Sequence, residues 1–102
     1  MIVNRRTFNV RPGRMQEAVA LVLKEVAAER ERGGMSGPVR VYTSSIGTFD
    51  QMAVEWEYEN LAVYEKGWAE WWARPTNAAF MQKWFELTKG GGSNEVWDLA
   101  EE

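Results

Sequence analysis

The chain has 102 residues and a formal net charge of −3, and 45% of its residues are hydrophobic. This composition folds around a core, and the length predicts one domain spanning residues 1–102. The basic residues are scattered, which excludes the basic face that nucleic-acid binding usually requires. The longest apolar run is too short to span a bilayer and no secretory signal is present, so we expect a cytoplasmic protein without a membrane span.

Cysteine and histidine are both absent from the sequence. The chain therefore has no disulfide and no thiolate nucleophile, and it lacks the usual haem ligand and the commonest metal ligand. Any acid–base chemistry would fall to carboxylates, tyrosine or lysine with a shifted pKa. We expect neither a bound metal nor a cofactor.

The first element is a strand over Ile2–Val10, indicated by β-branched and aromatic residues. Its even-numbered face is the more apolar, and we expect that face to meet the helices. Asn4 and Arg6 would then lie in the layer between sheet and helices. A shift of the strand by one residue would put Arg5 and Thr7 there instead.

Apolar residues then recur at helical spacing from about Arg14 to Arg30. Gly33 is the expected C-terminal cap of this helix, inside the breaking stretch Glu31–Pro38. The stretch Lys24–Arg32 mixes both charges and is predicted to face solvent.

Two strands of a hairpin follow, Val39–Gly47 and Gln51–Tyr58. The second alternates, so that Trp56 faces the helices while Glu55 and Glu57 face the opposite side. Two carboxylates about 7 Å apart on a strand can perform acid–base catalysis. Alternating glutamates more often form a polar face with ion pairs, which is the interpretation we favour.

The last third of the sequence predicts a broken helix and a short strand. Asn60 is the expected N-cap of a helix that runs to about Ala73, and Pro75 interrupts it before a second helical segment. The glycine-rich stretch Thr88–Asn94 has no phosphate-loop signature and is predicted to be a flexible connector. Glu95–Ala100 is predicted to be the final strand.

Three of the six tryptophans lie close together in the stretch Gly67–Pro75, "GWAEWWARP". A helical projection places Trp68 and Trp72 on the core-facing side and leaves Trp71 at its margin. Tryptophans at this spacing most often fill a core or a dimer contact. The alternative is that they join Trp56 in the wall of a ligand cavity.

The element order β-α-β-β-α-β predicts an α+β ferredoxin-like fold, with one antiparallel sheet and helices on one face. The opposite sheet face carries Val3, Arg5 and Thr7, and a second copy of the chain could cover it. Arg5 is expected to pair across strands with Glu55 or Glu57.

Two stretches carry a family resemblance: "RTFNVRPGRMQEAVAL" and "IGTFDQMAVEWEYENLAVYEKGWAEW". With them, and with the helix break at "RPTNAAFMQKW", the chain resembles the dimeric α/β-barrel superfamily and, within it, the NIPSNAP-like proteins. The resemblance implies a ferredoxin-like fold and a homodimer joined through its sheets into a barrel. It also implies a small-molecule cavity between sheet and helices.

Relatives in this superfamily include cofactor-independent monooxygenases and haem-degrading monooxygenases. The resemblance to the latter matches their strand Asn and helix Trp to Asn4 and Trp68. Their haem-ligating His has no counterpart, because the corresponding stretch reads "RPTNAAF". The resemblance therefore does not extend to haem.

The sequence thus predicts a NIPSNAP-like homodimer that binds a small apolar or aromatic molecule between sheet and helices. The candidate pocket residues are Asn4, Arg6, Trp56, Trp68 and Trp72. Arg6 would clamp an anion or carbonyl and Asn4 would donate a hydrogen bond, unless Arg6 simply pairs with a helix carboxylate. The alternative function is a cofactor-independent monooxygenase or isomerase of the antibiotic-biosynthesis-monooxygenase type.

Overall fold

The computed structural model describes residues 1–35 and 37–100. The elements, in chain order, are β1 (Ile2–Val10), α1 (Met15–Glu31), β2 (Val39–Thr43), β3 (Gln51–Tyr58), α2 (Leu61–Ala73), α3 (Asn77–Leu87) and β4 (Thr88–Asp98). The strands form one antiparallel sheet in the order β2-β3-β1-β4. The predicted ferredoxin-like α+β arrangement is confirmed, with the second helical region divided into α2 and α3. No helix within the described residues has the length and apolarity needed to cross a membrane.

The even-numbered face of β1 packs against the helices, as predicted. Asn4 and Val10 on this face are fully buried, and the Arg6 guanidinium lies over the Trp68 ring of α2. Arg5 points to the other side of the sheet, where it pairs with Glu55. The Asn4/Arg6 phase is therefore the correct one, because it buries the apolar residues of the same face.

The opposite, open sheet face carries cross-strand ion pairs. Arg5 Nη1 lies 2.8 Å from Glu55 Oε2, and Arg40 Nη1 lies 3.1 Å from Glu57 Oε1. The Tyr42 hydroxyl also donates to Glu55, at 3.0 Å. Both glutamates are thus engaged with neighbouring strands, which is the structural role that their alternation predicts.

The end of α1 and the start of α2 are capped by hydrogen bonds. Gly33 has φ +74° and its N–H donates to the Arg30 carbonyl, while the Gly34 N–H donates to the Glu29 carbonyl. This is a Schellman cap, and it confirms Gly33 as the C-terminal signal of α1. At the start of α2, the Asn60 side chain accepts from the Val63 N–H at 2.9 Å, which confirms the predicted N-cap.

The break between α2 and α3 is stabilised by an asparagine that follows Pro75. The Asn77 side-chain amide donates to the carbonyls of Trp72 and Trp71, at 2.6 and 3.2 Å. These carbonyls belong to the last turn of α2, where the usual N–H partner four residues later is missing; that of Trp71 also accepts from the Arg74 N–H, at 3.2 Å. The short connection turns the chain so that both helices contribute aromatic residues to the same layer.

The glycine-rich stretch Thr88–Asn94 is not a connector; it forms the first half of β4. It pairs with β1 through a register shift between Thr7 and Asn9. Gly92 has φ +96°, and a Cβ at this position would overlap the Thr7 carbonyl oxygen. The prediction was wrong because hydrogen bonding to β1 outweighs the low strand propensity of glycine. In addition, the backbones of β1 and β4 approach closely at the register shift, which requires a residue without a side chain.

The hairpin strand β2 is also shorter than predicted. It ends at Thr43, and the chain up to Asp50 forms the loop to β3. Ile46 and Phe49 in that loop are almost fully exposed. The predicted strand over Val39–Gly47 extended too far: beyond the Thr43–Met52 pair the Ser44 N–H still donates to the Gln51 carbonyl at 2.9 Å, and β3 begins at Gln51, so it has no residue left to pair with the rest of the stretch.

Candidate functional site

A cavity of about 150 Å³ lies between the helix-facing side of the sheet and the three helices. Its wall is mostly apolar and aromatic, and four ionisable side chains interrupt it. The apolar side chains are Phe8, Val22, Val26, Met35, Val54, Trp56, Trp68, Trp71, Trp72, Phe80, Met81 and Trp84. The ionisable ones are Arg6, Glu25, Glu29 and Tyr58.

The aromatic side chains of the wall form a continuous chain of contacts. Trp56 meets Trp68 with ring centroids 5.6 Å apart, Trp68 meets Trp71 at 5.8 Å, and Trp71 meets Phe80 at 5.6 Å. Phe80 in turn stacks on Trp84 at 5.9 Å. Edge-to-face pairs of this kind contribute about 0.5–1.5 kcal/mol each beyond their burial, so the wall is a rigid one.

The positions of Trp71 and Trp72 are the reverse of the prediction. Trp71 is 8% exposed and belongs to the core, whereas Trp72 is 54% exposed and lies at the rim of the cavity. Leu61, in the first turn of α2, lies between Trp68 and Trp72 in a helical projection, yet it is half exposed. The buried face of α2 is centred instead near Tyr64, Trp68 and Trp71. The predicted core-facing side was therefore rotated about the helix axis toward solvent.

Arg6 brings a positive charge into this aromatic layer. Its guanidinium carbon lies 4.0 Å from the Trp68 ring centroid and 5.9 Å from that of Trp56. Nε donates to the Asn4 side-chain oxygen at 3.2 Å, and Nη2 donates to the Tyr64 hydroxyl at 3.3 Å. The predicted alternative, a helix carboxylate, is not found: within the described residues no carboxylate lies within 4.0 Å of this guanidinium.

Asn4 is fully buried and does not line the cavity. Its side-chain nitrogen donates to the Asn94 side-chain oxygen at 2.7 Å and to the Glu95 carbonyl at 2.9 Å. Both of its N–H donors are thus engaged with β4, and its oxygen accepts from Arg6. Asn4 therefore orients Arg6 from outside the cavity, whereas the sequence predicted that it would donate a hydrogen bond to a ligand.

Two carboxylates of α1 link that helix to α2 across the edge of the cavity. Glu25 accepts from the Trp71 indole N–H at 2.9 Å. Glu29, only 7% exposed, forms ion pairs with Arg74 and, at 2.8 Å, with Arg32. These bonds join helices that otherwise leave a gap between them, and they satisfy both carboxylates without any ligand.

Sequence reasoning missed Glu25 and Glu29 because it assigned the whole stretch Lys24–Arg32 to a solvated face. Both residues follow Val22 and Val26 at spacings of three, which places them on the buried stripe of α1. This spacing could have identified both glutamates as residues of the buried face. The mixture of positive and negative charges along Lys24–Arg32 favoured the solvent-exposed interpretation instead.

Tyr58 is the cavity group whose ionisation is most altered. Burial, reinforced by the neighbouring Tyr64, raises the pKa of Tyr58 to about 12, although the Arg6 charge acts in the opposite direction. The phenol is therefore protonated at neutral pH and serves as a hydrogen-bonding group, not as a base. The Trp68 indole nitrogen is buried without a partner among the described residues. It lies close enough to Tyr58 to influence its pKa, but no hydrogen bond of good geometry joins the two.

The candidate pocket residues thus divide into three groups. Arg6, Trp56 and Trp68 line the interior of the cavity, Trp72 lies at its rim, and Asn4 supports Arg6 from outside. Within residues 1–35 and 37–100, no cluster of three or more acidic side chains is placed to hold a metal ion. The arrangement is suited to enclosing a flat apolar group beside one cation.

Solved structures with this architecture include NIPSNAP proteins of bacteria. A NIPSNAP family protein from Agrobacterium tumefaciens strain C58 has a TM-score of 0.81 and 22% identity, and the match covers 98% of this chain and 93% of that one. An uncharacterised NIPSNAP domain protein from Burkholderia xenovorans has a TM-score of 0.80 and 18% identity, with 98% and 95% covered. At these identities the likeness establishes the fold.

A crystal structure of an antibiotic biosynthesis monooxygenase is also similar, with a TM-score of 0.70 and 9% identity over 99% of this chain and all of that one (100%). No curated protein matches the chain significantly. The NIPSNAP family model matches residues 3–94. The chain therefore belongs to the NIPSNAP family.

Proposed function

We propose that this protein binds a small apolar or aromatic molecule in the cavity between its sheet and its helices, and that it acts as a homodimer. The observation that carries the first part is the aromatic cavity itself, which remains open although eight aromatic side chains line it: Phe8, Trp56, Tyr58, Trp68, Trp71, Trp72, Phe80 and Trp84. Ligand pockets are typically concave, mostly apolar and provided with a few polar groups, and this cavity has that character.

The volume limits the size of what can be enclosed. A dry apolar cavity of about 150 Å³ is large enough to take a benzene molecule in other proteins. The cavity here has a similar volume of about 150 Å³, so one ring would fill it. A larger molecule would extend past Trp72 at the rim, where the cavity meets solvent.

The homodimer is supported by the open sheet face. Trp97 is 59% exposed there and lies opposite Val3 of β1, and Tyr42 is exposed on the same face. The charged side chains between them are already neutralised in the Arg5–Glu55 and Arg40–Glu57 pairs. Aromatic residues among neutralised charges form a surface that a second copy could cover with little desolvation of unpaired charge.

A cofactor-independent monooxygenase or isomerase is the second candidate function. It is supported by the likeness to an antibiotic biosynthesis monooxygenase and by Arg6, whose charge in an apolar cavity would stabilise a developing oxyanion. Tyr58 could supply a hydrogen bond but not a base, since its pKa is raised to about 12. Oxygen uptake with a reduced polycyclic phenol would distinguish this function from binding alone.

Binding is tested by filling the cavity. Toluene and naphthalene are neutral probes, and their binding is measured by calorimetry and by quenching of tryptophan fluorescence. Val26→Trp places a large ring where α1 lines the cavity, so the affinity for both probes should fall at least about tenfold. Leu23→Trp is the matched control, because Leu23 lies on the same helix, is half exposed and does not line the cavity.

The outcomes separate clearly. Binding to the natural chain and to Leu23→Trp, together with loss in Val26→Trp, supports the proposal. Equal affinity in both variants would place the probe elsewhere and contradict it. Absence of binding to the natural chain would contradict it as well.

A further inference from the structure

Arg6 is a cation in an aromatic cavity, and its observed hydrogen bonds go to uncharged groups. Its partners are the Asn4 side-chain oxygen, 3.2 Å from Nε, and the Tyr64 hydroxyl, 3.3 Å from Nη2. Within the described residues, no carboxylate lies within 4.0 Å of it. Arg6 is partly buried. A partly desolvated charge without a counter-charge is less well stabilised than one in water, so the site would gain from a negative partner.

One edge of the guanidinium is still available. The Nε and Nη2 side of the group is used by Asn4 and Tyr64, and the flat face lies against Trp68 at 4.0 Å. Nη1 donates to no described residue, and it is not among the polar atoms sealed from solvent. The edge formed by Nη1 and the second Nη2 hydrogen can therefore donate two parallel hydrogen bonds, the geometry that matches a carboxylate.

The carboxylates that line the cavity do not serve this edge. Glu25 accepts from the Trp71 indole, and Glu29 pairs with Arg32 and Arg74. Both are thus held on the α1 side of the cavity. The polar lining is arranged with an uncompensated positive charge near the sheet and compensated negative charges at the helix edge.

We infer that the ligand is an aromatic monocarboxylate, with its ring among the tryptophans and its carboxylate on the free edge of Arg6. This inference rests on the proposed function, because it names the chemical class of the molecule bound in the same cavity. The cavity volume of about 150 Å³ accommodates a single ring. Asn4 acts as a positioning residue, since its bonds to Asn94 and Glu95 fix the side-chain oxygen that orients Arg6.

The test compares benzoate with benzamide, its neutral counterpart of nearly equal shape, by calorimetry on the natural chain. A charge-assisted pair of hydrogen bonds should favour benzoate by roughly tenfold to hundredfold. Arg6→Gln should abolish this preference, and Arg6→Lys should retain part of it, because lysine keeps the charge but not the planar pair of donors. Arg5→Gln is the matched control, since Arg5 is the adjacent residue and lies on the opposite sheet face.

The comparison on the natural chain does not depend on any variant folding. A benzoate preference that Arg6→Gln removes and Arg5→Gln preserves supports the inference. Equal or tighter binding of benzamide, or a preference that survives Arg6→Gln, overturns it, while binding of toluene that Val26→Trp abolishes would leave the proposed function standing. If neither toluene nor benzoate binds, both proposals are overturned.

Discussion

Arg6 and Asn4 show how two polar residues come to occupy an apolar layer. Asn4 makes three hydrogen bonds and is fully buried, so it carries no unsatisfied donor. Arg6 uses its aliphatic stem and flat guanidinium against Trp68, which lets a charged residue share a wall with tryptophans. Strand alternation places both residues on the helix-facing side of the sheet. Their different roles follow from β4, which supplies both acceptors of the Asn4 amide, so that Asn4 supports Arg6 while Arg6 lines the cavity.

Tyr58 gives a prediction about stability at high pH. Its pKa is raised to about 12 by burial and by Tyr64, so the protonated phenol is favoured in the folded chain over the unfolded one, where the value is about 10. This contribution is fully present below pH about 10 and is lost as pH rises through the folded value. The free energy of unfolding should therefore fall with pH in that window, and less steeply in Tyr58→Phe.

The measurement is urea unfolding at several pH values, together with the ultraviolet absorbance of tyrosinate. The last tyrosine to ionise in the folded chain should disappear in Tyr58→Phe. Tyr42→Phe is the control: its pKa is also raised, by the hydrogen bond to Glu55, but its exposure on the open face lets solvent screen the effect. Identical pH dependence in the natural chain and Tyr58→Phe would contradict the assignment.

At the scale of elements, the pairing of β4 with β1 depends on glycine at one position. Gly92 combines φ +96° with a close approach to Thr7, whereas a Cβ on Gly90 would meet nothing within 4 Å. Gly92→Ala should therefore destabilise the fold by about 1–3 kcal/mol, the usual range for a strained backbone position. Gly90→Ala should change stability by less than about 0.5 kcal/mol.

Thermal and urea unfolding of the two alanine variants measure this difference. The pair is well matched, because both substitutions add one methyl group to the same glycine run of the same edge strand. Similar stabilities for the two variants would show that the register shift between β1 and β4 accommodates the extra methyl group without strain, which would contradict this prediction. A larger loss at Gly90 would refute the structural account of the glycine run.

The cavity is itself a product of how the helices meet. α2 ends at Ala73 and α3 begins at Asn77, and the turn between them presents Trp71 and Phe80 to the same space. On the other side, α1 reaches α2 mainly through Glu25 and Glu29. These polar bridges lie at the edge of the cavity, which both Glu25 and Glu29 line.

At the scale of the whole molecule, the proposed homodimer leads to a test of the open sheet face. Trp97→Glu places a charge at the most exposed aromatic position of that face, and buried tryptophans are frequent hot spots of interfaces. The dissociation constant measured by sedimentation equilibrium should rise at least about tenfold. Phe85→Glu is the control, because Phe85 is 65% exposed but lies on α3, on the other side of the molecule.

A dimer of the natural chain that Trp97→Glu weakens and Phe85→Glu does not would support the open face as the interface. A monomer at micromolar concentration would contradict the proposed homodimer. Weakening by Phe85→Glu alone would assign the interface to the helical side instead.

The sequence by itself determined the order of elements and the caps at Gly33 and Asn60, and it favoured the strand phase of Asn4 and Arg6, which the structure then settled. Each of these depends on local periodicity or on backbone chemistry within a few residues, which the sequence records directly. The ferredoxin-like fold follows from the predicted order of elements. The family followed from a resemblance that covers nearly the whole chain, and not from periodicity.

Only the tertiary structure decided which tryptophans enclose the cavity and which polar groups are free. Trp71 replaced Trp72 on the buried face because the helix orientation is set by packing against β3 and α3, not by the helix alone. The glycine run became a strand because β1 offered hydrogen-bonding partners. Arg6 kept an open edge because its neighbours in space are neutral, and those neighbours come from positions up to 58 residues away in the chain.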